Sequence, residues 1–224
     1  MKMSIAIAID GPAGAGKSTI AKLAAKELNF IYVDTGALYR TVGLAATRNN
    51  VEAKSSKELD ELLDKIKVEL AFNENNEQIV LLDGEDVSDL IRTPQASMMA
   101  SAISAVPAVR AYLLDLQRNI AKTNNVIMDG RDIGTVVLPD AKIKIFLSAD
   151  PEDRAKRRYD ELVEKGMDVK YEDILEDVKT RDYNDSHREI APLKPAEDSI
   201  LVNTTGNTLE QSVELLIKIM KENM

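Results

Sequence analysis

The sequence predicts an α/β fold with a doubly wound parallel sheet, and three observations predict it. An apolar run at residues 4–9 leads into the glycine-rich stretch GPAGAGKST. A segment with helical spacing follows at 17–28, with Ile20, Leu23, Ala24 and Leu28 on one face. A second apolar run at 30–33 closes the unit. Strand, glycine loop, helix and strand in that order is how such folds open. The 224 residues, 44% hydrophobic and 30% charged, suffice for one α/β domain carrying an insertion. Aromatics make up 4%, so Val, Ile, Leu and Ala must fill the core.

The remaining elements follow from local pattern. Residues 36–48 read as a helix stopped by Asn49-Asn50. The texture changes over 51–92: a charged helical stretch at 57–65 precedes KVELAF and QIVLL, separated by NENNE, and a further turn sits at Asp83-Gly84. That is a hairpin inserted between βα units. Residues 93–104 and 107–122 read as two helices, Pro107 standing near the start of the second. Strands are predicted at 126–128, 143–147 and 200–202, and helices from Pro151, over 171–187 and over 209–221. Gly166 interrupts the charged stretch 152–173.

Composition narrows function. With no Cys there is neither a disulfide framework nor a thiolate metal site. The single His187 leaves little scope for a His-based metal site or a Ser-His-Asp triad. A net charge of −9 disfavours broad nucleic-acid or membrane-surface binding. No apolar run approaches the roughly 20 residues of a membrane span. The run at 4–9 is too short for a signal peptide, so a cytoplasmic location is expected.

Residues 11–18 match G-x-x-x-x-G-K-[ST] in full. The glycines let successive amides turn into one concavity, the following helix adds its positive end, Lys17 reaches β/γ-phosphates and Ser18 can ligate Mg²⁺. This identifies a nucleoside-triphosphate site, not a reaction. DTGALYR, with Thr35, Gly36 and Arg40 at a strand end, can offer a hydroxyl, amides and a guanidinium to a second anion; alone it reads more simply as a helix cap. DGRDIG places Arg131 and Asp132 between glycines at another strand end, where ligands collect in open α/β sheets; a loop salt bridge is the other reading. Arg181, Asp185 and Arg188 share a helical face, which by itself suits a solvated helix. Arg154, Lys156, Arg157 and Arg158 are a positive patch that could close over phosphates as a lid, or coat a solvated helix.

GPAGAGKST, DTGALYR, GEDVSDLIRT, MDGRDIGTVVLPDA and IAPLKPA, in that order, resemble the bacterial cytidylate kinase family. The resemblance spans essentially the whole chain, and DGRDIGTVV-x-PDA is far more specific than the phosphate loop. It implies a P-loop nucleoside-monophosphate-kinase fold: a parallel five-stranded core at about 1–50, 93–150 and 168–224, an NMP-binding insertion at about 51–92 and a short lid at about 151–167. The implied reaction is ATP + CMP (or dCMP) → ADP + CDP (or dCDP) with Mg²⁺. Gly11, Pro12, Ala13, Gly14, Ala15, Gly16, Lys17, Ser18 and Thr19 would hold ATP, Ser18 its Mg²⁺. Ser101, Arg110 and Asp132 would read cytosine; Arg40, Arg131 and Arg188 would surround the CMP phosphate; Arg181 and Asp185 would hold the sugar. Thr35 stands where the family often has Ser, a departure that keeps the hydroxyl. Lys17, Arg131, Arg157, Arg158 and Arg188 would carry catalysis, Arg157 and Arg158 from the lid. The resemblance also implies a monomer whose partners are the two nucleotides.

Base chemistry favours the same acceptor. A carboxylate such as Asp132 accepts from the cytosine N4 amino group, while Arg110 and Ser101 can donate to N3 and O2. Uracil would leave that carboxylate facing a carbonyl, a buried mismatch costing several kcal/mol. A triphosphate-hydrolysing switch and a kinase for another small acceptor, such as shikimate, are the rival classes. Acceptor-dependent ADP formation excludes the first. The loop at 204–207 is the expected adenine contact.

Overall fold

The computed structural model describes residues 4–74 and 77–224. Its α/β architecture has a five-stranded parallel sheet, β2 (Ile31–Asp34), β6 (Val126–Gly130), β1 (Ala6–Asp10), β7 (Ile143–Ser148) and β8 (Ile200–Asn203), in that spatial order. A three-stranded antiparallel sheet is made by β3 (Val68–Phe72), β4 (Gln78–Leu82) and the short β5 (Glu85–Asp86). The chain divides into two compact units, one of Ser4 and residues 31–126, the other of residues 5–30 and 127–224.

In the second unit, β1 runs parallel to β7 with Ile7 opposite Ile143 and Asp10 opposite Phe146, and β7 parallel to β8. Ile7, Ala8 and Ile9 are wholly buried, as an unalternating apolar run requires of an inner parallel strand. α1 (Lys17–Leu28) ends at Asn29, which adopts the left-handed conformation at φ 56° and returns its amide to the last turn. α1 packs on α8 (Leu209–Asn223), which starts with a capping box between Thr208 and Gln211. α6 (Pro151–Glu164) packs on α7 (Tyr171–His187), Tyr159 meeting Tyr171 edge to face. A π-turn, Ile133–Val137, follows β6.

In the first unit, the core gathers Leu38 and Val42 of α2 (Thr35–Arg48), Leu59 of α3 (Lys57–Leu63), Ile103 of α4 (Pro94–Ile103) and Leu113 of α5 (Pro107–Thr123). Gly43 lets α2 and α4 approach closely: a Cβ there would lie 2.7 Å from Met99 Cγ. The β3–β4 hairpin pairs Val68 with Leu82 and Phe72 with Gln78. Asn73 bonds Glu77 at its neck; Asn75 and Asn76 of the expected NENNE turn lie outside the described residues. Among the described residues no single helix is long and apolar enough to cross a membrane.

Candidate active site

The phosphate loop occupies residues 11–18 of the second unit. Gly16 caps α1 in the left-handed conformation, φ 82°, and offers no side chain, so the first-turn amides of α1 are left for an anion. Gly11, at φ 152°, passes so close to β7 that a Cβ would sit 1.9 Å from the Leu147 carbonyl oxygen. The loop's carbonyls face cations: Lys17 Nζ donates to Pro12 O at 2.7 Å and Arg154 Nη1 to Ala13 O at 2.9 Å. Ser18 Oγ donates to Asp129 Oδ2 at 2.8 Å, pairing the loop hydroxyl with a carboxylate on β6. Burial and the nearby Arg131 cation push Lys17 down from its usual value to about 7.

The loop after β6 is held from below. Asp10, at the end of β1, accepts from the Ile133 and Gly134 amides at 2.7 Å each, which winds residues 133–137 into the π-turn. Burial outweighs these two bonds and raises Asp10 to about 6. Arg131 donates through Nε to Asp185 of α7 at 2.8 Å. Arg188 lies 3.7 Å from Asp132 and donates Nε to the Ala191 carbonyl at 2.5 Å. Ala191 holds that carbonyl in place from the left-handed region, φ 49°. Arg181 is pushed below its ordinary value by burial and by Arg131, with Arg158 adding to the repulsion. Lys17 and Arg181 are each set against Arg131, with Asp185 offsetting part of the repulsion on both, an arrangement that a polyanion relieves.

The α6 cations divide. Arg157 donates to the Thr204 carbonyl at 3.1 Å and pairs with Asp153; Arg158 pairs with Glu161 and is half-buried. Arg154 departs from a closing lid residue: its side chain is 2% exposed and grips Asp182.

The first unit brings a second polar group together. Asp34 caps α2 through Ala37 N–H and pairs with Arg40 at 2.6 Å, so the cap reading of DTGALYR holds while Arg40 is drawn into it. A Cβ on Gly36 would meet Arg40 Nη1 and Asp34 Oδ1 at 3.0 Å each. Gln78 of β4 clamps the Asp34 backbone, its Oε1 accepting from N–H at 2.7 Å and its Nε2 donating to C=O at 3.1 Å. Thr35 is buried beside this cap. Arg110 donates to the Ser104 carbonyl at 3.2 Å, Ser104 Oγ donates to the Ser101 carbonyl at 2.9 Å, and the Arg110 guanidinium lies 5.7 Å from the Tyr39 ring centroid.

Comparison with known proteins decides the family. The cytidylate kinase family model matches residues 7–222. The chain belongs to the cytidylate kinase family. It is 50% identical over 215 residues to the cytidylate kinase of Caldicellulosiruptor saccharolyticus, covering 96% of this chain and 95% of that protein. It is likewise 50% identical over 214 residues to that of Carboxydothermus hydrogenoformans, at 96% of each chain. Among solved structures, an uncharacterised protein from Eubacterium ventriosum superposes at TM-score 0.54 with 17% identity over 98% of this chain and 99% of that one, a likeness of fold alone.

Within this cytidylate kinase family chain, a reading of the sequence misses Asp10, Asp129 and Asp182 and, for Arg154, names the residue as a lid cation but misses its buried role between the phosphate loop and α7. Asp129 had a signal, an acid closing the apolar run of β6 and thus at a strand's carboxyl end. The other three are visible only through partners distant in sequence.

Proposed function

We propose that the protein transfers the γ-phosphoryl group of ATP to CMP or dCMP, giving ADP and CDP or dCDP. The observation that carries this is the complete phosphate loop on an uncapped helix, in the same unit as the Arg131-Asp132 pair and the cations that crowd Arg131. A loop for one set of phosphates with a separate arginine cluster suits a reaction between two nucleotides better than hydrolysis of one.

Residues 11–19 bind ATP, with Lys17 on its terminal phosphates. The Ser18 hydroxyl and Asp129 carboxylate are hard oxygen donors 2.8 Å apart, which fits Mg²⁺, an ion that keeps waters and phosphate oxygens as its other ligands. When bound it would neutralise charge on the transferring group. The acceptor phosphate is held by Arg40, Arg131 and Arg188, the sugar by Arg181 and Asp185, and the base by Ser101, Arg110 and Asp132; Thr35 contributes its hydroxyl near the CMP site. The CMP phosphate is ionised at neutral pH and attacks in line. One of its oxygens bonds to the γ-phosphorus as the bond to the β-bridging oxygen breaks, and no protein base is required. Arginine forks bridging two oxygens stabilise the charge as it shifts. The insertion at 51–92 and the lid at 151–167, with Arg157 and Arg158, close to exclude water. The enzyme acts as a monomer in the cytoplasm.

A coupled ADP-release assay across CMP, dCMP, UMP, AMP and GMP tests this. Turnover is expected with CMP or dCMP at least about a hundredfold above the others. ADP release independent of acceptor, or none with the cytidine nucleotides, overturns it.

A further inference from the structure

Arg154 donates from all three of its guanidinium nitrogens. Its Nε donates to Ala149 O at 2.8 Å, just beyond β7. Its Nη1 donates to Ala13 O of the phosphate loop and to Asp182 Oδ1, each at 2.9 Å, and its Nη2 to Asp182 Oδ2. One rigid, planar group therefore joins a sheet end, the loop and α7. The loop and α6 also touch directly, since a Cβ on Gly14 would lie 3.4 Å from Arg154 Cβ.

The position of Asp182 gives the contact its significance. It follows Arg181 and lies three residues before Asp185, which anchors Arg131. Arg154 Nη1 bonds the Ala13 carbonyl and Asp182 at once, so a change at that carbonyl when phosphate enters the loop is felt directly by the group that holds Asp182. A buried ion pair contributes little net stability against an apolar replacement, and its best-attested use is to fix one arrangement against others.

We propose that Arg154 and Asp182 are positioning residues that couple the two substrates: phosphate in the loop sets the register of α7, so that each nucleotide tightens the binding of the other. This rests on assigning Arg181, Asp185 and Arg131 to the acceptor.

The test is calorimetric titration of CMP with and without Mg²⁺ and a non-hydrolysable ATP analogue. The wild type should show a mutual enhancement of about fivefold or more, within the usual range for coupled sites. Asp182→Asn keeps the shape but gives up the charged fork; each nucleotide alone should bind within about twofold of wild type, while the enhancement falls below about twofold. Arg154→Lys, whose single ammonium lacks the planar fork that spans Ala149, Ala13 and Asp182, should lose it too. Enhancement retained in both variants overturns the proposal, as does a wild type without any. So does a parallel loss of both solitary affinities with the melting temperature, the mark of a merely structural pair. A wild type that phosphorylates CMP while Asp182→Asn keeps its coupling leaves the proposed reaction standing and removes only this inference. A wild type that neither binds nor phosphorylates CMP overturns both.

Discussion

Arg131 donates its Nε–H to Asp185 Oδ2 at 2.8 Å, so a loop residue following β6 is held by a carboxylate on α7. The pair is only partly exposed, 25% and 11% by side chain, and Arg131 Nη1 donates a longer bond to the Gly130 carbonyl at 3.4 Å. Arg131→Lys should lower kcat by about a hundredfold, because a point charge replaces a planar fork. Asp185→Asn should raise KM for CMP about tenfold. The double variant should cost less than the product of the two, since both remove one unit. Steady-state kinetics on the four proteins checks this; strictly multiplicative losses would mean the pair acts as two independent groups.

Asp132 is the proposed reader of the cytosine amino group. Asp132→Asn should cut kcat/KM for CMP by about a hundredfold, the scale of a lost buried polar match, while KM for ATP stays within about twofold. UMP should lose less, narrowing the preference. Equal loss for both nucleotides excludes a role in reading the base.

Lys17 makes ATP binding a proton-linked event. Its pKa is held at about 7 in the free protein by burial and by Arg131, and phosphate charge raises it. A group whose pKa rises on binding takes up a proton wherever pH lies between the two values. Affinity should therefore weaken as pH climbs from about 7 toward the ordinary lysine range. Calorimetry of Mg²⁺–ATP-analogue binding at pH 8, in buffers of different ionisation enthalpy, should show net proton uptake that Lys17→Met abolishes. Lys17→Ala should also cost at least about a hundredfold in kcat.

Gly11→Ala tests the loop's path. Its Cβ would lie 1.9 Å from a backbone oxygen of Leu147, which no rotamer change can relieve. A loss of at least about 2 kcal/mol is expected, a fall in melting temperature of about 4–8 °C for a chain of this length. Gly36→Ala is the contrast: its neighbours at 3.0 Å are side-chain atoms rather than backbone, Arg40 Nη1, which can swing aside, and Asp34 Oδ1, which needs to give only a few tenths of an ångström while keeping the cap. It should leave melting nearly unchanged while weakening CMP binding severalfold, as read by thermal denaturation and titration on one preparation.

What could be read from the sequence was local. The buried run of β1, the glycine loop, the spacing of α1 and the KVELAF–QIVLL hairpin each declare themselves within a dozen residues, and each forms close to its expected bounds. The π-turn at Ile133–Val137 does not, because what winds it is Asp10, more than a hundred positions away. Arg154 looks the same in sequence as Arg157 and Arg158; only the burial given by α7 and the phosphate loop separates it from them. Arg40 was legible as a cation and Asp34 as a cap, but not that each would occupy the other.

Both oxygens of the Asp10 carboxylate are committed to the turn that follows Arg131 and Asp132, while its backbone leads straight into Gly11. Two loops more than a hundred positions apart in the chain therefore share one datum point. An insertion or deletion in either would throw the other out of alignment, so the lengths of these two loops are tied to each other.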